Sequence, residues 1–350
     1  MRRVMVTGGT GAWGREAVRQ LLRDPGIEAV VVYSRDEHKH QRMEETLEDP
    51  GGRVRYMLGD VRDRDRLALA MRGCDTVLHA AALKVVPLLE YSPAEAVRTN
   101  VDGALNVIEA ALRTPDVRRV IAISTDKAVA PVNLYGATKA VAERLFLAAN
   151  DYGGRSVRFD VARYGNVTGS TGSVTELWQR QMAAGEPLTV TDPDMTRFWI
   201  TLPRAVCLVL AMACEEGPVH GRPPGVWVPV MPAYRVGDLL SVVGGPDVVA
   251  RIIGRRPGER RHETVVAAEE WRERLVVDDV LDGLPPGNLV RNSWRWIAGE
   301  AWYLPALGHA TDRHKAGDAV VSSDYVVPLD TLASMWSDAN SSPPGSEEAE

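Results

Sequence analysis

Short apolar bursts alternate with stretches of helical spacing through the first half of the chain. Residues 3–7, 29–34, 54–58, 76–80, 119–124 and 157–164 are rich in β-branched side chains and nearly continuously apolar, the pattern of strands covered on both faces. Between them, residues 14–23, 36–48, 62–71, 94–112 and 135–150 carry helical spacing and good helix formers. Strand and helix in alternation predict right-handed crossovers and a doubly wound parallel α/β sheet. After about residue 167 the rhythm breaks up and Pro and Gly cluster over 217–232, which predicts a second, smaller mixed α/β domain closing over a cleft. The expected organisation is a first domain over 1–166 with later returns near 201–230, a second over 167–336, and a disordered tail over 337–350. The apolar segment 202–214 is expected to pack back on the first domain, and the tryptophan-rich stretch 294–302 reads as core.

Composition narrows the partners. Hydrophobic residues at 45% and charged residues at 25% are ordinary for a soluble globular chain. A formal net charge of -6 without a basic cluster argues against a nucleic-acid groove. The longest purely apolar run, 205–214, falls short of the roughly 20 residues a membrane span needs, and the first residues lack the apolar stretch of a signal peptide. No membrane partner and a cytoplasmic location are expected. Cys74, Cys207 and Cys214 are too scattered for a metal knuckle or a disulfide framework, and His38 and His40 fall on a polar helix, so no metal is assigned. Only five of the 41 basic residues are lysines (Lys39, Lys84, Lys127, Lys139, Lys315), and lysine is the cation that can lose its proton when desolvated. Three of them fall in the motifs below.

Gly8, Gly11 and Gly14 stand between the first strand and the first helix. Glycine there permits a tight turn and close backbone approach to a pyrophosphate held at the helix N-terminus, the fingerprint of a Rossmann dinucleotide site. At the end of the second strand Tyr33-Ser34-Arg35 offers a hydroxyl and a guanidinium, suited to a ribose 2′-phosphate, so NADP is favoured over NAD. The alternative is that Arg35 is a solvated charge and Asp36 reaches the ribose. Asp60 and Val61 would flank the adenine, and Ala80, Ala81 and Ala82 would let backbone approach the cofactor.

Tyr135 and Lys139 are four apart at the start of a helix, so both project from one face, with Lys139 placed to lower the phenol pKa. A phenolate beside a nicotinamide can take the proton of an alcohol while hydride leaves its carbon. Ser124-Thr125-Asp126-Lys127 ends the strand before that helix.

With Tyr33-Ser34-Arg35-Asp36-Glu37, Ala80-Ala81-Ala82-Leu83-Lys84, Ser124-Thr125-Asp126-Lys127-Ala128, Asn133-Leu134-Tyr135-Gly136-Ala137-Thr138-Lys139, Arg163-Tyr164-Gly165-Asn166-Val167 with Gly169-Ser170 and Gly172-Ser173-Val174, Met195-Thr196-Arg197-Phe198-Trp199-Ile200, and Arg256-Pro257-Gly258-Glu259 with His262-Glu263, the chain resembles an extended short-chain dehydrogenase/reductase. More narrowly, it resembles the inverting UDP-N-acetylglucosamine 4,6-dehydratases of capsule and flagellin-sugar biosynthesis, from the fingerprint to about residue 266. The resemblance implies a lyase that oxidises C4 of a UDP-amino-sugar. Asp126 then acts as acid on the C6 hydroxyl and Lys127 as base on C5, and the product is a 4-keto-6-deoxy sugar inverted at C5. It places Thr125, Asp126, Lys127, Tyr135 and Lys139 in the catalytic group. It adds Thr10, Ala12, Trp13, Lys84, Asn100, Tyr164 and Asn166 to the cofactor residues. It assigns Lys84, Asn166, Ser173, Val174, Thr189, Met195, Arg197, Arg256 and Glu259 to the substrate, with Arg197 and Arg256 on the diphosphate and Glu259 on the uridine ribose. A homo-oligomer, dimer or hexamer, pairing through helices 94–112 and 135–150 is implied as well. Lys84 is followed by Val85 where the family commonly has histidine.

Neutral amine is the form a base needs, so burial and the neighbouring Lys139 and Lys84 are expected to lower the Lys127 pKa, and desolvation to raise that of Asp126. Three alternatives stay open on these residues: a local ion pair between Asp126 and Lys127, a nucleotide-sugar epimerase using the same C4 oxidation, and a catalytically idle dinucleotide-binding regulator.

Overall fold

The β-branched runs line up side by side, and all but the edge run 54–58 are buried through most of their length. The computed structural model describes residues 1–152, 156–169, 172–214, 224–245, 248–268, 270, 275–278 and 320–341. Its first half alternates β1 (Arg3–Thr7), α1 (Ala12–Leu22), β2 (Ala29–Ser34), α2 (Glu37–Thr46), β3 (Val54–Leu58), α3 (Arg64–Met71) and β4 (Thr76–His79). Then follow α4 (Val86–Tyr91), α5 (Pro93–Val97), α6 (Gly103–Arg113), β5 (Arg119–Ile123), α7 (Leu134–Tyr152) and β6 (Arg158–Ala162). The helix expected over 94–112 is interrupted: a π-helical turn, Arg98–Asp102, separates α5 from α6.

The second half contains β7 (Asn166–Thr168), α8 (Val174–Ala183), β8 (Leu188–Val190), β9 (Thr196–Thr201), α9 (Leu202–Ala213), β10 (Val226–Pro229), β11 (Ala233–Arg235) and α10 (Val236–Gly244). After these come β12 (Ala250–Ile252), β13 (Thr264–Val266), β14 (Leu275–Asp278), β15 (Val320–Val321) and α11 (Leu329–Ser341). The central sheet has eight strands in the order β14-β10-β6-β5-β4-β1-β2-β3, every pairing parallel. The order reverses between β1 and β4, the crevice where doubly wound sheets bind ligands. Three smaller sheets, β11-β9-β7, β12-β8 and β13-β15, belong to the second half.

Helix α9 packs on α1 and β5, as its apolar composition predicts, and β10 extends the central sheet. Strand β9 joins two interiors. Phe198 and Ile200 belong to the core of the large sheet, whereas Trp199, pointing the other way, belongs to a second cluster with Trp178, Leu188, Tyr234, Leu239 and Leu332. Helix α11 closes that cluster, with Leu332 fully buried and the Trp336 ring 6.4 Å from Trp199. It runs to Ser341, inside the span assigned to a disordered tail, because this apolar face has a partner; residues 342–350 and the stretch 294–302 lie outside the described residues.

Candidate functional site

The turn after β1 is built around absent side chains. Gly8 has φ +68°, and a Cβ there would lie 2.9 Å from Ala81 N; a Cβ on Gly14 would lie 2.5 Å from Gly9 Cα. Gly11 caps α1 with no side-chain acceptor, so the first-turn N–H groups of α1, from Ala12, Trp13 and Gly14, face no competing cap. Ala80 N and Ala81 N donate to Thr7 O (3.2 Å) and Thr7 Oγ1 (3.3 Å), which draws the loop after β4 against this turn. A cradle so shaped fits the pyrophosphate of a dinucleotide. At its far end Thr10 Oγ1 and Ser34 Oγ are 2.8 Å apart, and His40 Nε2 lies 2.9 Å from Ser34 Oγ. Arg35 is half exposed, 3.5 Å from Asp60 Oδ2, and Asp60 is also gripped by Arg62 Nε (2.9 Å) and Nη2 (2.7 Å). Asp36, the alternative ribose ligand, accepts from Lys39 N (3.0 Å) as the N-cap of α2. Val61 packs where a Cβ on Gly103 would fall, 2.9 Å from its Cγ2.

Asn100, expected beside the cofactor, spends its side chain on the protein: Oδ1 accepts from Leu83 N (2.8 Å), and Nδ2 donates to Leu83 O (2.9 Å) and Thr138 Oγ1 (3.0 Å). The π turn aims it there. It therefore holds the loop that carries exposed Lys84 against α7.

The strand ends bring the reactive groups together. Asp126 is fully buried and Lys127 largely so; Lys127 Nζ lies 3.0 Å from Asp126 Oδ1 and 3.3 Å from Asn166 Oδ1. Thr125 Oγ1 donates to Asp126 Oδ1 (3.0 Å) and stands beside the Tyr135 phenol, while Asp126 Oδ2 is buried with no hydrogen-bond partner among the described residues. A Cβ on Gly136 would sit 2.1 Å from Lys127 O, so only glycine lets α7 start this close. Tyr164 lies buried beside Tyr135 and Trp13, and its N-terminal neighbour Arg163 is fixed by Glu143 and Glu270.

The electrostatics correct two expectations. Burial pushes the Lys127 ammonium toward losing its proton, but the carboxylates of Asp126 and Glu263 outweigh it and hold the group above the ordinary lysine range. Lys139 is the lowered lysine: burial brings it to about 8, with Glu143 pulling the other way, and its Nζ donates to Ile123 O (2.6 Å). Burial pushes the Tyr135 phenol up to about 12, and the cation that counteracts this is Lys127 rather than Lys139. The local ion pair weighed from sequence exists, and it exists inside the reactive cluster.

Among the expected substrate residues, several are engaged internally. Arg197 is buried and donates from Nη1 to Thr196 O (2.8 Å) and from Nη2 to Arg260 O (3.1 Å), with Met195 Sδ at 3.2 Å. Its guanidinium also donates to Arg261 O (3.2 Å), so three backbone carbonyls share its donors. Ser173 Oγ caps α8, which begins at Val174, by accepting from Glu176 N (3.3 Å), and Thr189 is tied to Gln181 by N and Oγ1 at 3.1 Å each. Arg256 and Glu259 sit on a loop that Asn133 pins through Gly258 O (2.9 Å), which brings them beside the first turn of α7. Arg256 keeps half of its side chain exposed, 3.9 Å from Glu259. Glu263 and Tyr234, to which no role is assigned from sequence, both enter the cluster: Glu263 Oε1 is 3.4 Å from Lys127 Nζ, and the Tyr234 phenol stands beside Asn166. His262-Glu263 is among the motifs that carry the family resemblance, which marks Glu263 in the sequence without giving it a role.

Residues 4–283 match a family described as polysaccharide biosynthesis protein. The chain is 42% identical over 271 residues to a UDP-N-acetylglucosamine 4,6-dehydratase (inverting) of Campylobacter jejuni, covering 77% of this chain and 78% of that protein. It is 41% identical over 274 residues to a UDP-glucose 4-epimerase of Rickettsia akari, covering 76% and 78%. The solved structure of Pen from Bacillus thuringiensis superposes with a TM-score of 0.80 at 30% identity, over 96% of this chain and 97% of that one.

Proposed function

We propose, on the premise that the chain belongs to the polysaccharide biosynthesis protein family, that it is an NADP-dependent UDP-N-acetylglucosamine 4,6-dehydratase inverting C5. In this reading residues 1–166, with α9 and β10, hold the dinucleotide, and the remainder to 336 holds the UDP-sugar. Gly8, Gly11 and Gly14 with the first turn of α1 take the pyrophosphate, and Ser34 and Arg35 take a 2′-phosphate, a choice supported by the use of Asp36 as a helix cap. A bound nicotinamide supplies reversible hydride transfer. Arg256 and Glu259 reach the uridine diphosphate from their loop. The apolar side chains of Leu88 and Tyr91, 64% and 89% exposed on α4, support a homo-oligomer, which light scattering checks; a single-copy mass removes it.

The observation that carries the reading is the Asp126–Lys127 pair set into the cluster of Tyr135. Tyr135 takes the C4 hydroxyl proton, aided by Thr125 and the Lys127 charge. A ketone at C4 makes the C5 proton acidic. Moving one proton across the 3.0 Å bond from Lys127 Nζ to Asp126 Oδ1 turns an ammonium and a carboxylate into an amine and a carboxylic acid. That arrangement holds a base for C5 and an acid for the C6 hydroxyl at once. Each such proton transfer contributes about 10² to 10⁴-fold. Asn166, bonded to the same amine, fixes its direction.

Incubation with UDP-N-acetylglucosamine and NADP in deuterated water is expected to give a 4-keto-6-deoxy sugar nucleotide with deuterium at C5 and inverted configuration, read by NMR. The second reading, favoured by the Rickettsia akari relative, is 4-epimerisation. It leaves the C6 hydroxyl in place and C5 undeuterated. Either that outcome or unchanged sugar overturns the dehydratase reading.

A further inference from the structure

Lys127 faces more negative charge than an exchange with Asp126 alone requires. Its Nζ lies 3.4 Å from Glu263 Oε1 as well as 3.0 Å from Asp126 Oδ1. Glu263 is 4% exposed, and its backbone is fixed on both sides by one residue: its N–H donates to Ser322 Oγ (2.9 Å), and its carbonyl accepts from Ser322 N (2.8 Å). Arg197 Nε stands 3.8 Å from the same Oε1. The carboxylate is thus suspended between a lysine and an arginine in a buried place. The charged and titratable groups acting on the amine come from every element around it: Asp126 on its own turn, Tyr135 on α7, Arg197 on β9, Tyr234 on β11, and Glu263 ahead of β13. Next to Glu263, His262 turns its Nδ1 to Thr196 Oγ1 (2.8 Å).

Proton accounting shows what such a carboxylate does. Asp126, used as an acid, carries a proton while the C5 proton is removed, and a protonated carboxyl has no charge to offer. The C5–H bond breaks, its electron pair enters the C4–C5 enolate, and the proton forms the third N–H of Lys127. At that moment a buried ammonium exists beside a neutral Asp126. The C6–O bond then breaks as the Asp126 proton passes to the departing hydroxyl, which leaves as water. Among the described residues, Glu263 is the remaining carboxylate facing the amine during that interval, and an unpaired buried ammonium is costly.

We propose that Glu263 is a positioning residue of the elimination, the counter-charge that receives the Lys127 ammonium while Asp126 is neutral. The assignment rests on the dehydratase reading, and Glu263 itself touches neither proton in transit.

Two variants and two readouts test it. Glu263→Gln is expected to lower kcat for elimination about tenfold or more with KM little changed, and to move the rising limb of the pH profile down by about one unit; Glu263→Asp is expected to restore both. Independently of turnover, the chain has only five lysines, so 13C labelling of lysine Cε resolves them, with Lys127→Met giving the assignment. In Glu263→Gln the Lys127 resonance should reach its neutral-amine position at lower pH than in the unaltered protein. A Glu263→Gln protein that keeps both the limb and the Lys127 titration overturns the assignment. If the unaltered protein makes no 4-keto-6-deoxy product, the dehydratase reading has failed, and with it the elimination role, even where the NMR shift shows the charge pairing.

Discussion

Lys127 and Lys139 share a site but not an environment. Both stood out in the sequence as rare lysines within motifs, and that much was legible. The sign of their perturbation was not, because it depends on which carboxylates the fold delivers. Glu143, one turn along α7, reaches Lys139 but does not overcome its burial, whereas Asp126 and Glu263 together overcome that of Lys127. Glu263 arrives from far along the chain, and no periodicity announces it. His79 shows the opposite case, a titratable side chain absorbed by the core: its Nδ1 lies 2.8 Å from Thr7 Oγ1, and burial, aided by the Lys139 charge, pushes it down to about 3. Between that value and the ordinary histidine range near 6.5, the unfolded chain binds a proton that the folded protein refuses. Stability is therefore expected to fall as pH drops through that window, with a slope approaching ~1.4 kcal/mol per pH unit, and to show no contribution from His79 above it. Urea midpoints between pH 4 and 7 measure the slope, and His79→Asn should flatten it. An equal slope in the variant shows that His79 is not the group responsible.

At the scale of elements, the strands were the most legible part. β1, β2 and β3 begin and end where the apolar runs do, because the interiors of β1 and β2 are covered on both faces and must be apolar, while β3, at the sheet edge, keeps Arg55 and Leu58 exposed. The span 94–112 was legible as helix but not as two helices, since a π turn keeps helical spacing on either side and differs only by the extra residue it accommodates. That turn sets Asn100 facing the loop after β4. Asn100→Ala removes the partner of Leu83 N and Leu83 O together. About 1–3 kcal/mol of stability should be lost for each buried group left unpaired, and the loop should release from α7. Denaturant midpoints read the first effect, and the dinucleotide retained through gel filtration reads the second. A variant retaining nucleotide like the parent separates this loop from cofactor binding.

The whole molecule is tied through Arg163, which leaves the sheet at the end of β6 and binds Glu143 on α7 and Glu270 beyond β13. Its Nε and Nη2 reach Glu143 at 3.0 and 2.6 Å, and Nη1 and Nη2 reach Glu270 at 2.9 and 2.7 Å. Arg163→Met strands the buried Glu143 and the partly buried Glu270, and a loss of about 3–5 kcal/mol is expected in chemical denaturation. Adding Glu143→Gln to the variant should recover part of it, and strict additivity of the two changes would rule out the linkage. None of this was visible in the sequence beyond the motif that contains Arg163, because its partners lie on separate elements.

Strand β9 also constrains anyone who wishes to graft a foreign second half onto this scaffold. Phe198 and Ile200 plug one interior while Trp199 plugs the other, so a chimera spliced within those three residues inherits two mismatched halves. A workable junction has to carry the strand whole, together with the complementary pockets on both sides.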